Sequence, residues 1–408
     1  MKHLVKPITW PKSIKMIDFI PALSGLIGKV ALVSSFAFVW AEELAILSPY
    51  FIFENVRIEI IIGSLITLGA ALFFPFAAPS GTLAPLIVLI PIMVRYGVHP
   101  LVLSLMVGLI GLISVRTKLF TLLLSLSGSI SKTSLALVFG ISGVWMSVKK
   151  LFEFFGRHST LLYLLLACLI GIYFLLLISK KMWLVIPSCA VVSLILPLIF
   201  GMKIDVSVPA ALPHFNPFYW WQTMWGVGFG FTFMNFIRSL PFGLFVVLLW
   251  TIDTVSIQAV AESNMESKKI CEKIDLEKSF SIASMRNIIG GLYGGAQTSS
   301  LWRSFLIPLF MIQRPMQPSA ILLGILGIIA GLSGSPIKIL SFAPVIWTVL
   351  LFGIFVPFVN TGIKNLKNSR SLSQQSIILL TTAAGIFFNP LLTWLGAVCY
   401  EKFEHKFR

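Results

Sequence analysis

Residues 290–305 read Gly-Gly-Leu-Tyr-Gly-Gly-Ala-Gln-Thr-Ser-Ser-Leu-Trp-Arg-Ser-Phe and place one arginine, Arg303, beside small residues in an otherwise apolar part of the chain. A charge at membrane depth costs at least about 2.5–3.5 kcal/mol, so such a residue tends to face a protein or water-filled interior and to serve a function. The glycine, serine and threonine residues favour non-helical backbone, which is tolerated at that depth only beside a cavity. The stretch therefore predicts a broken membrane span with a functional arginine at the break.

Composition indicates the class of protein that contains this stretch. The chain has 408 residues, of which 57% are hydrophobic and 11% are charged, and its mean hydropathy is +0.95. Apolar runs of near-spanning length recur from end to end, which is typical of an all-α polytopic membrane protein. The first apolar run follows a basic segment without a small-residue cleavage site, so a secretory signal is not expected.

The number and orientation of the spans follow from hydropathy and charge. A window of roughly 19 residues gives about fourteen apolar spans, numbered in chain order: 20–41, 57–77, 82–97, 100–115, 132–150, 160–179, 182–200, 239–261, 280–294, 300–312, 317–333, 342–360, 375–388 and 388–402. Those near 82–97, 280–294 and 300–312 are shorter than the roughly 20 residues that a full crossing needs, so we expect half-helices or tilted pieces there. Most basic residues fall in loops on the side of the N-terminus. An even span count and the positive-inside rule then predict two cytoplasmic termini, in a bacterial inner membrane.

Several functions are disfavoured by the same composition. The formal net charge is +16, but the basic residues lie in short loops between spans and not on one soluble face, so nucleic-acid binding is not expected. The four cysteines and five histidines lack the spacing of metal ligands. No nucleophile–base constellation is evident, so we expect neither an enzyme nor a bound cofactor.

The two halves of the chain contain similar motifs. Within residues 1–200, Pro79-Ser-Gly-Thr-Leu-Ala-Pro85 opens one short span, and within residues 239–408, Ala296-Gln-Thr-Ser-Ser-Leu-Trp302 opens another. Each span would be third in a block of seven, and because seven is odd the two blocks would run through the membrane in opposite directions. The sequence thus predicts a seven-plus-seven inverted repeat whose binding site lies at the repeat interface near the membrane centre.

Residues 201–238 separate the two repeats and contain the densest aromatic cluster, His214-Phe-Asn-Pro-Phe-Tyr-Trp-Trp-Gln-Thr-Met-Trp225. Tryptophan and tyrosine favour the layer between lipid and water. We therefore predict an extracellular, interfacial aromatic helix here, with substrate stacking as the alternative.

The two short motifs define a candidate binding site. If Pro79–Thr82 and Ala296–Ser299 are extended and a short helix follows each, the two helix N-termini point at one another, and each offers free backbone N–H groups and about half a positive charge. This arrangement attracts an anion or the polar edge of a heterocycle, with hydroxyl groups completing the contacts. The candidate substrate-binding residues are Ser80, Gly81, Thr82, Thr298, Ser299, Ser300 and Arg303.

Asp253 is the carboxylate that could balance Arg303, since no other carboxylate lies within the strongly apolar run 240–261. One interpretation is a buried ion pair between the two residues without a ligand, because buried charges are normally paired. The other is that Asp253 takes up a coupling cation, H+ or Na+, or balances Arg303 when the site is empty. Both interpretations stay open at the level of sequence.

The chain resembles the superfamily of the sulfate permease (SulP) anion transporters and the uracil/xanthine/ascorbate permeases. Ser300-Leu-Trp-Arg303-Ser304 is similar to the serine/arginine pattern of the sulfate permease branch, in which the matching arginine lines the anion site. Asp253-Thr-Val-Ser256 is similar to the acidic motif of the eighth span, with aspartate in place of the usual glutamate. Gly290-Gly-Leu-Tyr-Gly-Gly295 and Gly331-Leu-Ser-Gly-Ser-Pro-Ile-Lys338 resemble the nucleobase branch.

Two departures qualify this resemblance. The acid or glutamine followed by asparagine, with which the nucleobase branch binds its base, is replaced here by Trp302-Arg303, which favours an anion. Few residues follow the last apolar segment, whereas sulfate permeases usually carry a STAS domain there, so we expect a divergent branch without one.

The resemblance implies a core domain from spans 1–4 and 8–11, a gate domain from spans 5–7 and 12–14, and a homodimer through the gate domains. It favours a secondary transporter of a small anion such as sulfate, bicarbonate or a carboxylate, working by elevator-like movement. A proton-coupled nucleobase permease of the same fold is the alternative, followed by a channel or a scaffold in the bilayer without transport.

Overall fold

A computed structural model of the chain describes residues 13–48, 50–204, 212–228, 230–262, 265–295, 298–369 and 371–407. Within these residues the protein is helical apart from short connections and one two-stranded sheet. The prediction of an all-α polytopic membrane protein is therefore confirmed.

The first half of the chain contributes eight α-helices and one strand. In chain order they are α1 (Phe19–Glu43), α2 (Phe51–Phe73), β1 (Ser80–Thr82), α3 (Ile90–Arg95), α4 (Pro100–Thr117), α5 (Leu119–Leu126), α6 (Ser129–Phe155), α7 (Ser159–Ile178) and α8 (Val185–Ile199). A 3-10 segment, Ala84–Leu89, joins β1 to α3.

The second half contributes ten α-helices and the second strand. They are α9 (Phe233–Glu262), α10 (Met265–Glu272), α11 (Leu276–Leu292), β2 (Ser299–Leu301), α12 (Arg303–Ile312), α13 (Met316–Ser333), α14 (Ser335–Leu340), α15 (Ala343–Leu350), α16 (Val356–Lys367), α17 (Leu372–Phe387) and α18 (Pro390–Phe407). A π-helical segment, Leu351–Phe355, joins α15 to α16 into one long span.

Nine helical stretches of the described chain are long and apolar enough to cross a membrane, and shorter apolar helices occur at Ala84–Arg95, Arg303–Ile312 and Leu372–Phe387. Burial differs strongly among the long ones. Helix α1 is buried along most of its length, whereas α7, the most hydrophobic, exposes most of its side chains. Because an exposed apolar surface this large needs an apolar solvent, α7 is a lipid-facing helix and α1 is a central one.

Local sequence explains several helix ends. Asp275 begins α11 by accepting a hydrogen bond from the Lys278 amide at 3.0 Å, and Ser371 caps α17 in the same way at 3.2 Å from the Gln374 amide. Such caps satisfy backbone donors that the first helical turn leaves free.

The two most extensive helix pairs of the fold are α4 with α11 and α2 with α13. Under the predicted repeat, α2 corresponds to α11 and α4 to α13, so each pair is the counterpart of the other. Small residues permit both contacts: a Cβ at Gly324 of α13 would lie 2.8 Å from Leu68 Cβ, and one at Gly108 of α4 would lie 2.5 Å from Ile288 Cγ1. Glycine at such positions lets membrane helices approach closely.

The bounds of two segments differ from the predicted ones. The segment 280–294, predicted as a half-helix or a tilted piece, belongs to α11, which is continuous from Leu276 to Leu292. The predicted aromatic segment 201–238 overlaps α9, which begins at Phe233.

The tryptophans of the aromatic cluster are buried within the protein, and the position of the segment at the membrane interface stays a prediction. Trp220, Trp221 and Trp225 are at most 2% exposed, and residues Tyr219–Met224 form a π-helical turn. The Trp225 indole donates a hydrogen bond to the Gly294 carbonyl at 2.8 Å. Burial of three indoles against protein, each with a hydrogen-bond donor to satisfy, fixes this segment to the core.

Candidate functional site

The two broken spans cross each other as an antiparallel pair of strands. The register places Ser80 opposite Leu301, Gly81 opposite Ser300 and Thr82 opposite Ser299. A hydrogen bond from the Trp302 amide to the Pro79 carbonyl, 3.0 Å long, continues this pairing. The predicted extended segments are therefore present, and the second one lies at 299–301, downstream of 296–299; Ala296 and Gln297 lie outside the described residues.

A short helix follows each strand directly. The 3-10 segment begins at Ala84 after β1, and α12 begins at Arg303 after β2. Because the strands are antiparallel and paired, the two helix starts lie on opposite sides of one crossing point. A helix start carries a partial positive charge. At the first start Pro85 has no N–H and the Leu86 amide donates to the Leu83 carbonyl at 3.1 Å, so fewer donors are free there than the sequence predicted.

Close packing at the crossing requires glycine at position 81. A Cβ on Gly81 would lie 2.6 Å from the Cα of Trp302, which is a backbone atom and cannot swing away. The Trp302 indole in turn donates a 3.1 Å hydrogen bond to the Gly25 carbonyl of α1. The crossing is thus held against α1.

Asp253 of α9 faces the start of α12. Its Oδ2 accepts a hydrogen bond from the Ser300 hydroxyl at 3.0 Å, and its Oδ1 lies 3.4 Å from Nη1 of Arg303. The guanidinium of Arg303 also lies 4.4 Å from the ring centroid of Phe358. Buried Nε of Arg303 has no hydrogen-bond partner within the described part of the chain, so the arginine retains hydrogen-bonding capacity beyond its one carboxylate contact.

A cavity of about 20 Å³ opens between these groups. Its charged and hydroxyl-bearing lining residues are Lys29, Thr82, Asp253, Arg303 and Ser304. The hydroxyls of Thr82 and Ser304 are buried and have no partner among the described residues. A volume of this size accommodates one water-sized molecule.

Three further charged side chains meet beside the crossing, and the sequence interpretation did not include them. Arg286 of α11 donates to Glu59 of α2 at 2.8 Å and to the Ser299 hydroxyl at 2.6 Å, and it also donates to the Gly81 carbonyl. Lys29 of α1 is 1% exposed, as are Glu59 and Arg286. Each of the three is an ionisable residue in an apolar span, and that signal alone would have marked it for attention.

The glycine-rich stretch 290–295 makes room for this cluster and for the aromatic segment. A side chain at Gly295 would collide with the carboxylate of Glu59, and one at Gly294 would collide with the Trp220 ring. Gly294 also has a φ of +85°, a conformation that favours glycine. The stretch therefore serves the packing around the site as well as breaking the span.

The predicted site residues fall into three groups. Ser300 and Arg303 both contact Asp253, and Thr82 lines the same cavity as Arg303 and Asp253. Gly81 and Ser299 face Arg286 on the other side of the strands. The buried hydroxyls of Ser80 and Thr298 have no hydrogen-bond partner in the described residues and do not line the cavity. In those same residues no group of three His, Cys, Asp or Glu side chains is placed to hold a metal ion.

The long apolar helices define an integral membrane protein. The chain belongs to the family described as "Protein of unknown function (DUF3360)", which matches residues 12–402. A comparison with curated proteins gives no match.

Solved structures share the fold over nearly the whole chain. The transmembrane domain of the cyanobacterial bicarbonate transporter BicA has a TM-score of 0.58 at 14% identity, covering 94% of this chain and 97% of that one. SLC26A9 has a TM-score of 0.59 at 12% identity over 97% of this chain and 66% of its own. Murine Slc26a9, described as an anion transporter in the inward-facing state, has a TM-score of 0.55 at 12% identity over 98% of this chain and 69% of its own. The resemblance to the sulfate permease fold is therefore confirmed.

Proposed function

We propose that this protein is a secondary active transporter of a small anion. The observation that carries the proposal is Arg303, an arginine at the start of α12 whose side chain is 12% exposed and whose contact with the Asp253 carboxylate is 3.4 Å long. A helix N-terminus and an incompletely bonded guanidinium both attract negative charge. That BicA is a bicarbonate transporter and Slc26a9 an anion transporter supports the same substrate class. The sequence contains no nucleophile–base or metal-ligand arrangement that would indicate an enzyme or a cofactor.

The anion site comprises the cavity and the strands that border it. We assign substrate contacts to Arg303, Ser300 and Thr82, whereas Gly81, whose carbonyl accepts a hydrogen bond from Arg286, supports the crossing. Asp253 is the counter-charge that holds Arg303 when the site is empty. Ser80, Thr298 and Ser299 support the crossing, the last through Arg286.

Movement of two groups of helices accounts for transport through such a small cavity. In the proposed division, spans 1–4 and 8–11 form the core, which contributes Lys29, Thr82, Asp253 and Arg303 to the cavity, and spans 5–7 and 12–14 form the gate, which contributes Phe358. The first repeat occupies residues 1–200 and the second 239–408. Because 20 Å³ holds little more than one water molecule, an anion can enter only when core and gate separate. An elevator-like displacement of the core supplies that separation.

The proposal includes a location and an assembly. Both termini lie in the cytoplasm of a bacterial cell, as the positive-inside rule predicts for an even number of spans. The exposed apolar face of α7, in the gate, supports a homodimer or a lipid contact at this side of the molecule.

Uptake into proteoliposomes tests the proposal. Labelled sulfate, bicarbonate and chloride are offered to the wild type, to Arg303→Ala and to Arg116→Ala, which changes an exposed arginine at the end of α4. We expect saturable uptake of at least one anion, its loss in Arg303→Ala and its retention in Arg116→Ala. Equal uptake by the wild type and Arg303→Ala would refute the site. Uptake of uracil or xanthine without any anion uptake would establish the nucleobase alternative instead.

A further inference from the structure

Lys29 is a buried amine in the cavity to which the proposed function gives no role so far. It lies in the middle of α1, is 1% exposed and lines the cavity together with Arg303. Its Nζ has no hydrogen-bond partner among the described residues. The one specific contact of the amine is with the Trp302 ring, whose centroid is 4.3 Å away. A lysine ammonium has three donors, so this environment leaves its charged form poorly satisfied.

The charged groups around Lys29 come from four elements. Glu59 on α2 and Arg286 on α11 are ion-paired with each other, and Asp253 on α9 and Arg303 on α12 form the second pair. Helices α13 and α15, which also pack against α1, carry no titratable residue. Both local carboxylates are therefore already engaged with arginines, and Lys29 has none of its own.

The position of Arg286 makes a permanent charge on Lys29 still less favourable. Both side chains lie against Gly63 of α2. An ideal Cβ built on Gly63 would overlap Nζ of Lys29 and would lie 3.1 Å from Nε of Arg286. Two cations are thus neighbours in a medium of low dielectric constant. Arginine does not lose its proton in proteins, whereas lysine does so readily when buried.

We infer that Lys29 takes up a proton when a monovalent anion enters the cavity and releases it when the anion leaves, so that one proton accompanies each anion. The inference rests on the proposed function and names its coupling ion. With Lys29 as the free amine, two arginines balance two carboxylates and the buried cluster is neutral. The proton taken from water makes the ammonium, and the negative charge of the anion then restores neutrality. The coupling ion is therefore carried by Lys29, and Asp253 serves as the counter-charge of Arg303.

Charge balance also selects the substrate class. A monovalent anion such as chloride, nitrate or bicarbonate leaves the protonated cluster neutral, whereas a fully ionised divalent anion leaves one negative charge buried at the membrane centre. Because an unpaired buried charge is strongly unfavourable, we expect monovalent anions to bind more tightly than sulfate.

Proton uptake on binding tests the inference directly. The purified protein in detergent, in a lightly buffered solution with a pH indicator, is titrated with sodium nitrate, sodium chloride and sodium sulfate between pH 6 and 8. We expect about one proton taken up per bound nitrate or chloride, and an affinity that rises about tenfold per unit fall in pH. Lys29→Arg, which keeps the positive charge but cannot release it, should bind the same anions without proton uptake and without pH dependence. Lys132→Arg, a change of a half-buried lysine at the start of α6, should behave as the wild type.

The outcomes separate the inference from the proposed function. Anion binding by the wild type without proton uptake, or equal proton uptake by Lys29→Arg, overturns the role of Lys29 and leaves the anion site intact. Failure of the wild type to bind or transport any anion overturns the proposed function and this inference with it. If Lys29→Arg does not fold, Lys29→Gln gives the second test, since it should lose proton uptake and bind nitrate at least tenfold more weakly.

Discussion

Arg303 and Asp253 face each other across the start of α12, with Nη1 of the arginine 3.4 Å from Oδ1 of the aspartate. The distance is long for a charge-assisted hydrogen bond, which is typically about 2.7–2.9 Å. The aspartate is better bonded to the Ser300 hydroxyl, at 3.0 Å. The pair therefore balances charge without exhausting the donors of the arginine, which is the property that an anion site needs.

Replacement of the carboxylate should make the site more dependent on its anion. In Asp253→Asn the amide oxygen can still accept from Ser300, but Arg303 loses its counter-charge. Removal of one member of a buried pair costs about 3–5 kcal/mol. We expect a lower thermal stability of the variant in anion-free buffer and a larger rise on addition of sodium nitrate than the wild type shows. The matched control, Asp275→Asn, keeps an N-cap acceptor at an exposed position. An equal rise in thermal stability on addition of nitrate in the wild type, Asp253→Asn and Asp275→Asn would contradict the assignment of Asp253 as the counter-charge of Arg303.

The ion pair between Arg286 and Glu59 should be a structural element of the crossing. The arginine binds a carboxylate on α2, a hydroxyl on β2 and a carbonyl on β1. Arg286→Met leaves Glu59 as an unpaired buried charge and should destabilise the protein by about 3–5 kcal/mol. The double variant Arg286→Met/Glu59→Met removes both charges and should recover part of that loss. Thermal unfolding, monitored by size-exclusion chromatography, measures the stability of the single and the double variant. A double variant that is less stable than Arg286→Met would contradict this account.

A methyl group on Gly81 should disrupt the strand crossing. In Gly81→Ala the new Cβ would meet the backbone Cα of Trp302 at 2.6 Å, and overpacking of this kind costs about 1–3 kcal/mol. We expect loss of anion transport together with lower thermal stability. Gly69→Ala is the control, because a Cβ there meets nothing within 4 Å and alanine favours a helix. Similar behaviour of the two variants would show that the crossing is not closely packed in the working protein.

His99 should make the docking of the aromatic segment sensitive to acid. Burial lowers the pKa of His99 below its ordinary value of 6.5, opposed by its hydrogen bond to the Gly228 carbonyl. Nδ1 of His99 accepts from the Val102 amide, and its ring stacks on Trp221 with centroids 5.5 Å apart.

The direction of the effect follows from proton linkage. Because the unfolded chain binds a proton on His99 more readily than the folded protein does, stability is complete above about pH 6.5 and falls as the pH decreases through the lower folded pKa. His99→Asn retains a good N-cap residue and should flatten this decline. Tryptophan fluorescence between pH 8 and 5 measures the change. If the stability of His99→Asn falls with decreasing pH as steeply as that of the wild type, groups other than His99 cause the decline.

Several features of the fold could be predicted from local sequence. The hydropathy of the runs that became α1, α7 and α13 identified membrane helices, because a spanning helix needs about 20 apolar residues regardless of its neighbours. The motifs around Gly81 and Ser300 predicted the two breaks, since backbone of that composition does not continue a helix within a bilayer. Arg303 and Asp253 were predicted as partners because each was the isolated charge in its run.

The tryptophans of residues 219–225 show what local sequence leaves open. Their composition is the same whether they contact lipid or protein, and the preference of tryptophan for the membrane boundary is an average. What buries them is a cleft whose walls come from distant parts of the chain, including Phe51, with a ring centroid 4.8 Å from that of Trp225, and the backbone of Gly294. The continuity of α11 is likewise not evident from hydropathy, because its serine, arginine and asparagine lower the hydropathy while serving the site.

The sequence by itself determined that this is a polytopic helical membrane protein with two broken spans, because hydropathy and small-residue breaks act over one helix length. Only the tertiary structure decided which charges meet. Lys29, Glu59 and Arg286 lie on three helices, and the pairing of the last two is fixed by the packing of α2 and α11 around the strands. Since the free energy of a buried charge depends on its neighbours within a few ångströms, the lysine that lacks a partner became visible only when the helices were assembled.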